Sequence, residues 1–246
     1  MTLKRVDEQY RGLTYPWGRL DHPDETPFEV APGVWWLRFT MPGPLNHINL
    51  WLLEDGDGWT IVDTCLNLET AKAHWEALFD GFMGGKPVKR VICTHMHPDH
   101  IGLAGWLCER FACDLYMTQA EFLTGSLIMG YTGEQAPSAA ISFYHRSGFS
   151  TSQLDHYRDR FGAFGQFTTP LPHNYQRLTD RQTLAIGGRY WQIVVGEGHS
   201  PEHACLYCPA LQLVIAGDQI LPRITPNVSV FPTQPDGNPL EAWLAS

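Results

Sequence analysis

No apolar run in this 246-residue chain approaches the roughly 20 residues that a membrane-crossing helix needs, so no membrane partner is expected. Basic residues are scarce: 17 Lys and Arg stand against 26 Asp and Glu, a formal net charge of -9. A non-specific polyanion binder uses a basic stripe, so nucleic acid is disfavoured as a partner. A small anionic substrate stays open, because a bound metal ion can supply a local positive field. No apolar stretch follows Lys4-Arg5, which argues against a secretory signal. The six cysteines are scattered at 65, 93, 108, 113, 205 and 208 and read as reduced thiols of a cytoplasmic protein. Cys205 and Cys208 form a C-x-x-C with no second pair, so they read as small strand residues rather than a zinc or redox site. The Gly-x-Ser-x-Gly turn of serine hydrolases is missing, as are repeats, heptads and low-complexity runs.

What is present suits a folded domain with many turns: 43% apolar residues, 23 Gly and 18 Pro. The polar, Pro-containing stretch 1–30 reads as an irregular arm. Extended segments follow at Val34–Phe39, His47–Leu53 and Trp59–Val62, the last two joined by a hairpin turn at Asp55-Gly56-Asp57-Gly58. Leu68, Ala71, Trp75, Leu78, Phe79 and Phe82 share one helical face, closed by Gly84-Gly85. Val88–Cys93 reads as a buried strand, Ile101–Phe111 as a helix and Asp114–Met117 as a strand. Residues 119–175 are aromatic and Gly-rich, with helical stretches at Ala120–Met129, Ala136–Arg146 and Ser152–Arg160. They read as a cap inserted over a site. Strand signals return at Thr183–Ile186, Tyr190–Val195, Ala204–Cys208 and Leu213–Ala216. Two packed sheets with helices outside account for this order.

Between the strand ending at Cys93 and the helix starting near Ile101 lie His95, His97, Asp99 and His100, an H-x-H-x-D-H pattern. Side chains alternate along an extended loop, so His95 and His97 face one point. The turn at Pro98-Asp99 lets Asp99 and His100 face a neighbouring one. Imidazole and carboxylate are zinc ligands, and also serve iron and manganese.

This segment resembles the signature loop of the metallo-β-lactamase superfamily, and other pieces fall in that family's order. Ile61-Val62-Asp63-Thr64, Gly196-Glu197-Gly198-His199-Ser200 and Ala216-Gly217-Asp218 resemble its remaining motifs. The resemblance implies an α+β fold, an αββα sandwich, as a single domain over 1–246 with the helical cap at 119–175. It implies that His95, His97 and His199 hold one metal, that Asp99 and His100 hold a second, and that Asp218 bridges them. Asp63 is implied as a hydrogen-bonding support behind the metal loop; His203 reads as another, or as a plain strand histidine. The family's last histidine for the second metal is not found after His203, and the chain stops in what reads as the start of a helix, Pro239–Ser246. The expectation is therefore two zinc ions with an incomplete second site, and a domain whose C-terminal end is missing. The implied function is a hydroxyacylglutathione-hydrolase-like metallo-hydrolase acting on a small-molecule thioester, lactone or phosphodiester through metal-activated water. Asp99 would orient that water or relay its proton. Two alternatives stay open: a mononuclear-iron persulfide dioxygenase using His95, His199 and Asp218, and an endoribonuclease-like member. The aromatics Phe143, Tyr144, Tyr157, Phe161, Phe164 and Phe167 either line an acyl pocket or pack as core.

Overall fold

The structure, a computed structural model, describes residues 7–16, 26–43 and 45–246. The stretch expected to be irregular contains paired backbone. Strands β1 (Glu8–Tyr10) and β2 (Leu13–Tyr15) form an antiparallel hairpin. Its two-residue turn is Arg11-Gly12, both at positive φ (50° and 78°), as a type I′ turn requires. Strand β3 (Phe28–Ala31) joins the main sheet. The rest of the expected arm, 1–6 and 17–25, lies outside the described residues.

The main sheet continues through β4 (Val34–Thr40), β5 (His47–Asp55), β6 (Gly58–Val62), β7 (Val88–Ile92), β8 (Asp114–Thr118) and β9 (Gln176–Leu178). Its order is β3-β4-β5-β6-β7-β8-β9. The β3–β6 half is antiparallel, and β6 to β9 run parallel. Parallel neighbours need crossovers. Helix α1 (Glu69–Asp80) supplies the first, and α2 (Pro98–Ile101) with α3 (Ala104–Phe111) the second. The third contains α4 (Gln119–Gly130), α5 (Ser138–Arg146), α6 (Thr151–Arg160) and a 3-10 turn at Phe164–Phe167. A four-stranded antiparallel sheet follows: β10 (Thr183–Ile186), β11 (Arg189–Gly196), β12 (His203–Cys208) and β13 (Leu213–Ile215). Helix α7 (Pro239–Ala245) comes last.

The single helix expected over Ile101–Phe111 is broken at Gly102-Leu103. A continuous helix would direct the His100 and Gly102 carbonyls to the N–H groups four residues on. Instead, His100 O accepts from Thr64 N and Oγ1 (2.9 and 2.7 Å), and Gly102 O from Thr169 N and Oγ1 (2.7 and 3.0 Å). Thr64 Oγ1 in turn accepts the Leu103 N–H, and Thr169 Oγ1 the Trp106 N–H.

Alternation along the strands builds two cores. Ile61 and Val91 face the helices with Leu50, Trp75 and Leu107. Val62 and Ile92 face the other sheet with Trp191, Ile193 and Leu206. All five residues of β6 are buried, as suits a strand covered on both sides. Fully burying each such Val, Leu or Ile contributes about 1.5–3 kcal/mol. The result is an αββα-type sandwich. Asp55 pins its layers: it accepts from Thr60 Oγ1 and Arg90 in its own sheet, and from Gly187 N beside the other. No helix among the described residues is long and apolar enough to cross a membrane.

Candidate metal centre

The ends of β6, β7, β11 and β13 bring four loops together at one rim of the sandwich. Asp63 directly follows β6, with its backbone left-handed (φ 62°), and its buried carboxylate organises the loop after β7. Oδ1 accepts the Thr94 N–H (2.8 Å), and Oδ2 accepts from Thr94 Oγ1 (2.9 Å) and pairs with His100 Nδ1 (2.8 Å). Asp63 thus fixes the start and the end of the His95–His100 segment.

His95 Nε2, His97 Nδ1 and His199 Nε2 converge, with separations of 2.8, 3.0 and 3.2 Å. Imidazole nitrogens sharing one zinc ion at about 2.0 Å and tetrahedral angles lie roughly 3.3 Å apart, so the triangle has the size of a metal-binding face. Burial, reinforced by neighbouring imidazoles, holds the pKa of His95 well below the usual histidine value and that of His97 down at about 3. His199 is lowered as well, chiefly by burial. Three neutral imidazoles that present lone pairs to one point repel each other unless a cation lies between them, and a metal ion fits that donor set. In two of the rings the other nitrogen sets the tautomer: His95 Nδ1 lies 3.1 Å from Thr94 Oγ1, and His199 Nδ1 donates to Asn227 O at 3.0 Å.

A second group gathers His95, His100 and Asp218. With Nδ1 turned to Asp63, His100 aims Nε2 at Asp218 Oδ1 (3.6 Å) and Asp99 Oδ2 (3.7 Å). That nitrogen is buried and has no hydrogen-bond partner, a costly state that a metal ion relieves. Burial opposes charge on His100, but Asp63, Asp99 and Asp218 outweigh it and raise its pKa. Asp218 Oδ2 lies 3.6 Å from His199 Nε2, so one carboxylate faces both groups. Among the described residues no further histidine joins the second group.

The structure therefore brings together His95, His97, Asp99, His100, His199 and Asp218, with Asp63 behind the loop. His203 lies behind Asp218: its Nε2 accepts the Asp218 N–H at 3.1 Å, and its ring stacks on His95 with centroids 4.7 Å apart. Several supports carry no motif signal. Glu121, buried on α4, accepts the Met96 N–H (2.9 Å) and the Glu202 N–H (2.7 Å). Helix α7 braces the third and fourth loops, with Trp243 Nε1 donating to Gln219 O and Ser246 Oγ accepting the Glu197 N–H. Cys205 and Cys208 lie buried in β12 as free thiols.

In the 119–175 segment, α4 packs on the metal loop, where Gly125 faces Met96 and Ile101. Tyr144 meets Phe143, Phe149 and Tyr157, and Phe161 meets Tyr131 and Tyr157. These aromatics of the α5–α6 pair therefore pack on one another. A cavity of about 550 Å³ lies between α4 and residues 165–173, lined by Phe122, Met129 and Leu171 among others, with no histidine of the metal loops in its wall.

An αββα sandwich with two adjoining donor groups at one rim defines a metal-binding protein of the metallo-hydrolase kind. A sequence model of the metallo-beta-lactamase superfamily matches residues 43–246, and the chain belongs to that superfamily. It is 25% identical over 191 residues to the probable metallo-hydrolase YybB of Bacillus subtilis (strain 168), covering 77% of this chain and 70% of that one. A beta-lactamase domain protein from Burkholderia ambifaria superposes with a TM-score of 0.83 at 41% identity, covering 94% of this chain and 67% of the other. A metallo-beta-lactamase family protein from Thermus thermophilus gives 0.73 at 27% identity, covering 88% and 69%. The chain is a metallo-hydrolase of this superfamily with a histidine-rich metal-binding site.

Proposed function

We propose that the chain hydrolyses a thioester, lactone or phosphodiester of a small molecule, using two metal ions, with zinc as the expected metal. The observation that carries this reading is Asp218, whose two oxygens each lie 3.6 Å from a histidine of a different donor group. His95, His97 and His199 would hold the first ion, Asp99 and His100 the second, and Asp218 would be shared. A metal ion there would supply a nucleophile at neutral pH, by lowering the pKa of bound water to about 7, and would polarise the oxygen of the bond under attack.

The chain's own groups do the rest. Asp63, Thr94 and Asn227 engage Nδ1 of His100, His95 and His199, so that in all three rings Nε2 is the nitrogen turned to the donor groups. His203 holds the Asp218 backbone. Asp99, less buried than His100, would orient the attacking water and take its proton. The 119–175 segment would be the cap that shapes substrate choice, a reading supported by α4 packing on the metal loop at Gly125. The six free thiols suit a reducing, cytoplasmic setting.

A panel of thioesters, lactones and phosphodiesters tests the reading. The expected result is turnover abolished by a chelator, restored by zinc, and lost in His95→Ala/His97→Ala together with bound metal. No chelator-sensitive turnover on the panel, with oxygen consumed by an iron-loaded sample given a persulfide, would favour the dioxygenase reading.

A further inference from the structure

Glu121 is a fully buried carboxylate that the hydrolytic reading leaves without a role. Burying an ionisable group is expensive unless it is fully hydrogen-bonded. Here each oxygen has a backbone partner, and the two partners lie on different metal loops. Oε2 accepts the N–H of Met96, the residue between His95 and His97 (2.9 Å). Oε1 accepts the N–H of Glu202, one residue before His203 and three after His199 (2.7 Å). The carboxylate itself is held in place by a reciprocal arrangement at the start of α4. Glu202 Oε2 accepts the Ala120 N–H (2.9 Å), and Thr118 Oγ1 donates to Glu202 O (2.7 Å).

We infer that Glu121 is a positioning residue of the metal centre: its carboxylate fastens the His95–His97 loop to the His199–His203 loop, and so holds the three converging nitrogens at metal-binding separation. The inference rests on the proposed metal role of those histidines. Neutral nitrogens 2.8 to 3.2 Å apart push their loops apart, and a fastener that joins the two backbones opposes that. Both partners are N–H donors, so the group between them must be acceptor-only on both atoms. A carboxylate meets that need; a carboxamide turns one NH₂ towards an N–H. Glutamine in place of Glu121 therefore keeps the volume and loses one of the two fastenings.

The test compares Glu121→Gln and the milder Glu121→Asp with the parent chain. Zinc affinity is read by competition with a chromophoric chelator, the Co²⁺ absorption spectrum reports the ligand field, and the unfolding midpoint is taken without metal. Asp55→Asn is the control, since it disturbs a buried carboxylate that joins the two layers at the start of β6, the end of that strand opposite Asp63. Loss of a group that orients metal ligands weakens binding about 10–100-fold. Both Glu121 variants should show a loss in that range for the first zinc equivalent, with a shifted Co²⁺ spectrum, while Asp55→Asn lowers the midpoint and keeps the parent's affinity and spectrum. If both Glu121 variants bind zinc as tightly as the parent, with an unchanged spectrum and only a lower midpoint, Glu121 merely supports the fold and the inference is wrong. A parent chain that binds no zinc overturns the metal reading, and this inference with it.

Discussion

Gly217, just before Asp218, shows how little room the site leaves at the level of one residue. Its backbone is left-handed (φ 49°), and an added Cβ would lie 2.6 Å from His203 Nε2 and 2.9 Å from Thr94 Oγ1. Both atoms are engaged, one with the Asp218 N–H and the other with Asp63, so neither can yield freely. Gly217→Ala should cost about 1–3 kcal/mol through crowding and backbone strain, read as a lower denaturant midpoint, and should weaken metal binding. A variant as stable as the parent would show that the loop relaxes. The residues legible in the sequence are those whose chemistry is concentrated in a short segment, His95 to His100, and those placed by a family's motif order, His199 and Asp218. Glu121 and Asn227 are not legible. They act on a backbone N–H or through a backbone carbonyl, groups that nearly every residue has, and so leave no pattern of residue types.

Elements with a strong period are readable: α1 with Ala71, Trp75, Leu78 and Phe79 buried on one face, and the β5–β6 hairpin at Gly56-Asp57. Strand β9 leaves no such signal because it has three residues and one buried side chain, Leu178. The α2–α3 break is hidden because Thr64 and Thr169, distant in sequence, take the carbonyls that would have continued the helix. Helices α5 and α6 carry a pH prediction. Burial raises the phenol pKa of Tyr144, and burial with the neighbouring Tyr144 raises that of Tyr157. The folded pair therefore favours the neutral phenols. Its contribution to stability is whole below the unfolded value near 10 and is lost as pH rises through the higher folded values. Ultraviolet titration should show a late-ionising phenol component that shrinks in Tyr144→Phe. A late component that is unchanged in Tyr144→Phe would contradict the packing of this pair.

Across the whole molecule, the alternation of strands and helices indicates two layers of sheet, while the superfamily resemblance supplies the connection between them. The donor groups draw on both layers: His95, His97 and His100 follow a strand of the seven-stranded sheet, and His199 and Asp218 follow strands of the four-stranded one. Since the first group has three histidines and the second has His100 with two carboxylates, titration should show one tight and one weaker zinc equivalent. Two equally tight equivalents would contradict that ranking.

The shared rim also makes a bound ion a cross-link. His97 and His199 are 102 residues apart in the chain, so joining them through one ion closes a loop of that length. In the chain-entropy treatment of disulfides, a loop of about 100 residues removes roughly 4.7 kcal/mol of unfolded-state freedom. For a domain of this size that corresponds to an unfolding temperature about 10–20 °C higher, less whatever affinity the unfolded histidines retain. Adding zinc to the chelated protein should therefore raise the melting temperature far more in the parent than in His199→Ala/Asp218→Ala, which keeps His95, His97, Asp99 and His100 on a single loop. Equal gains in the two would mean that the ion tightens one loop and does not staple the sheets together.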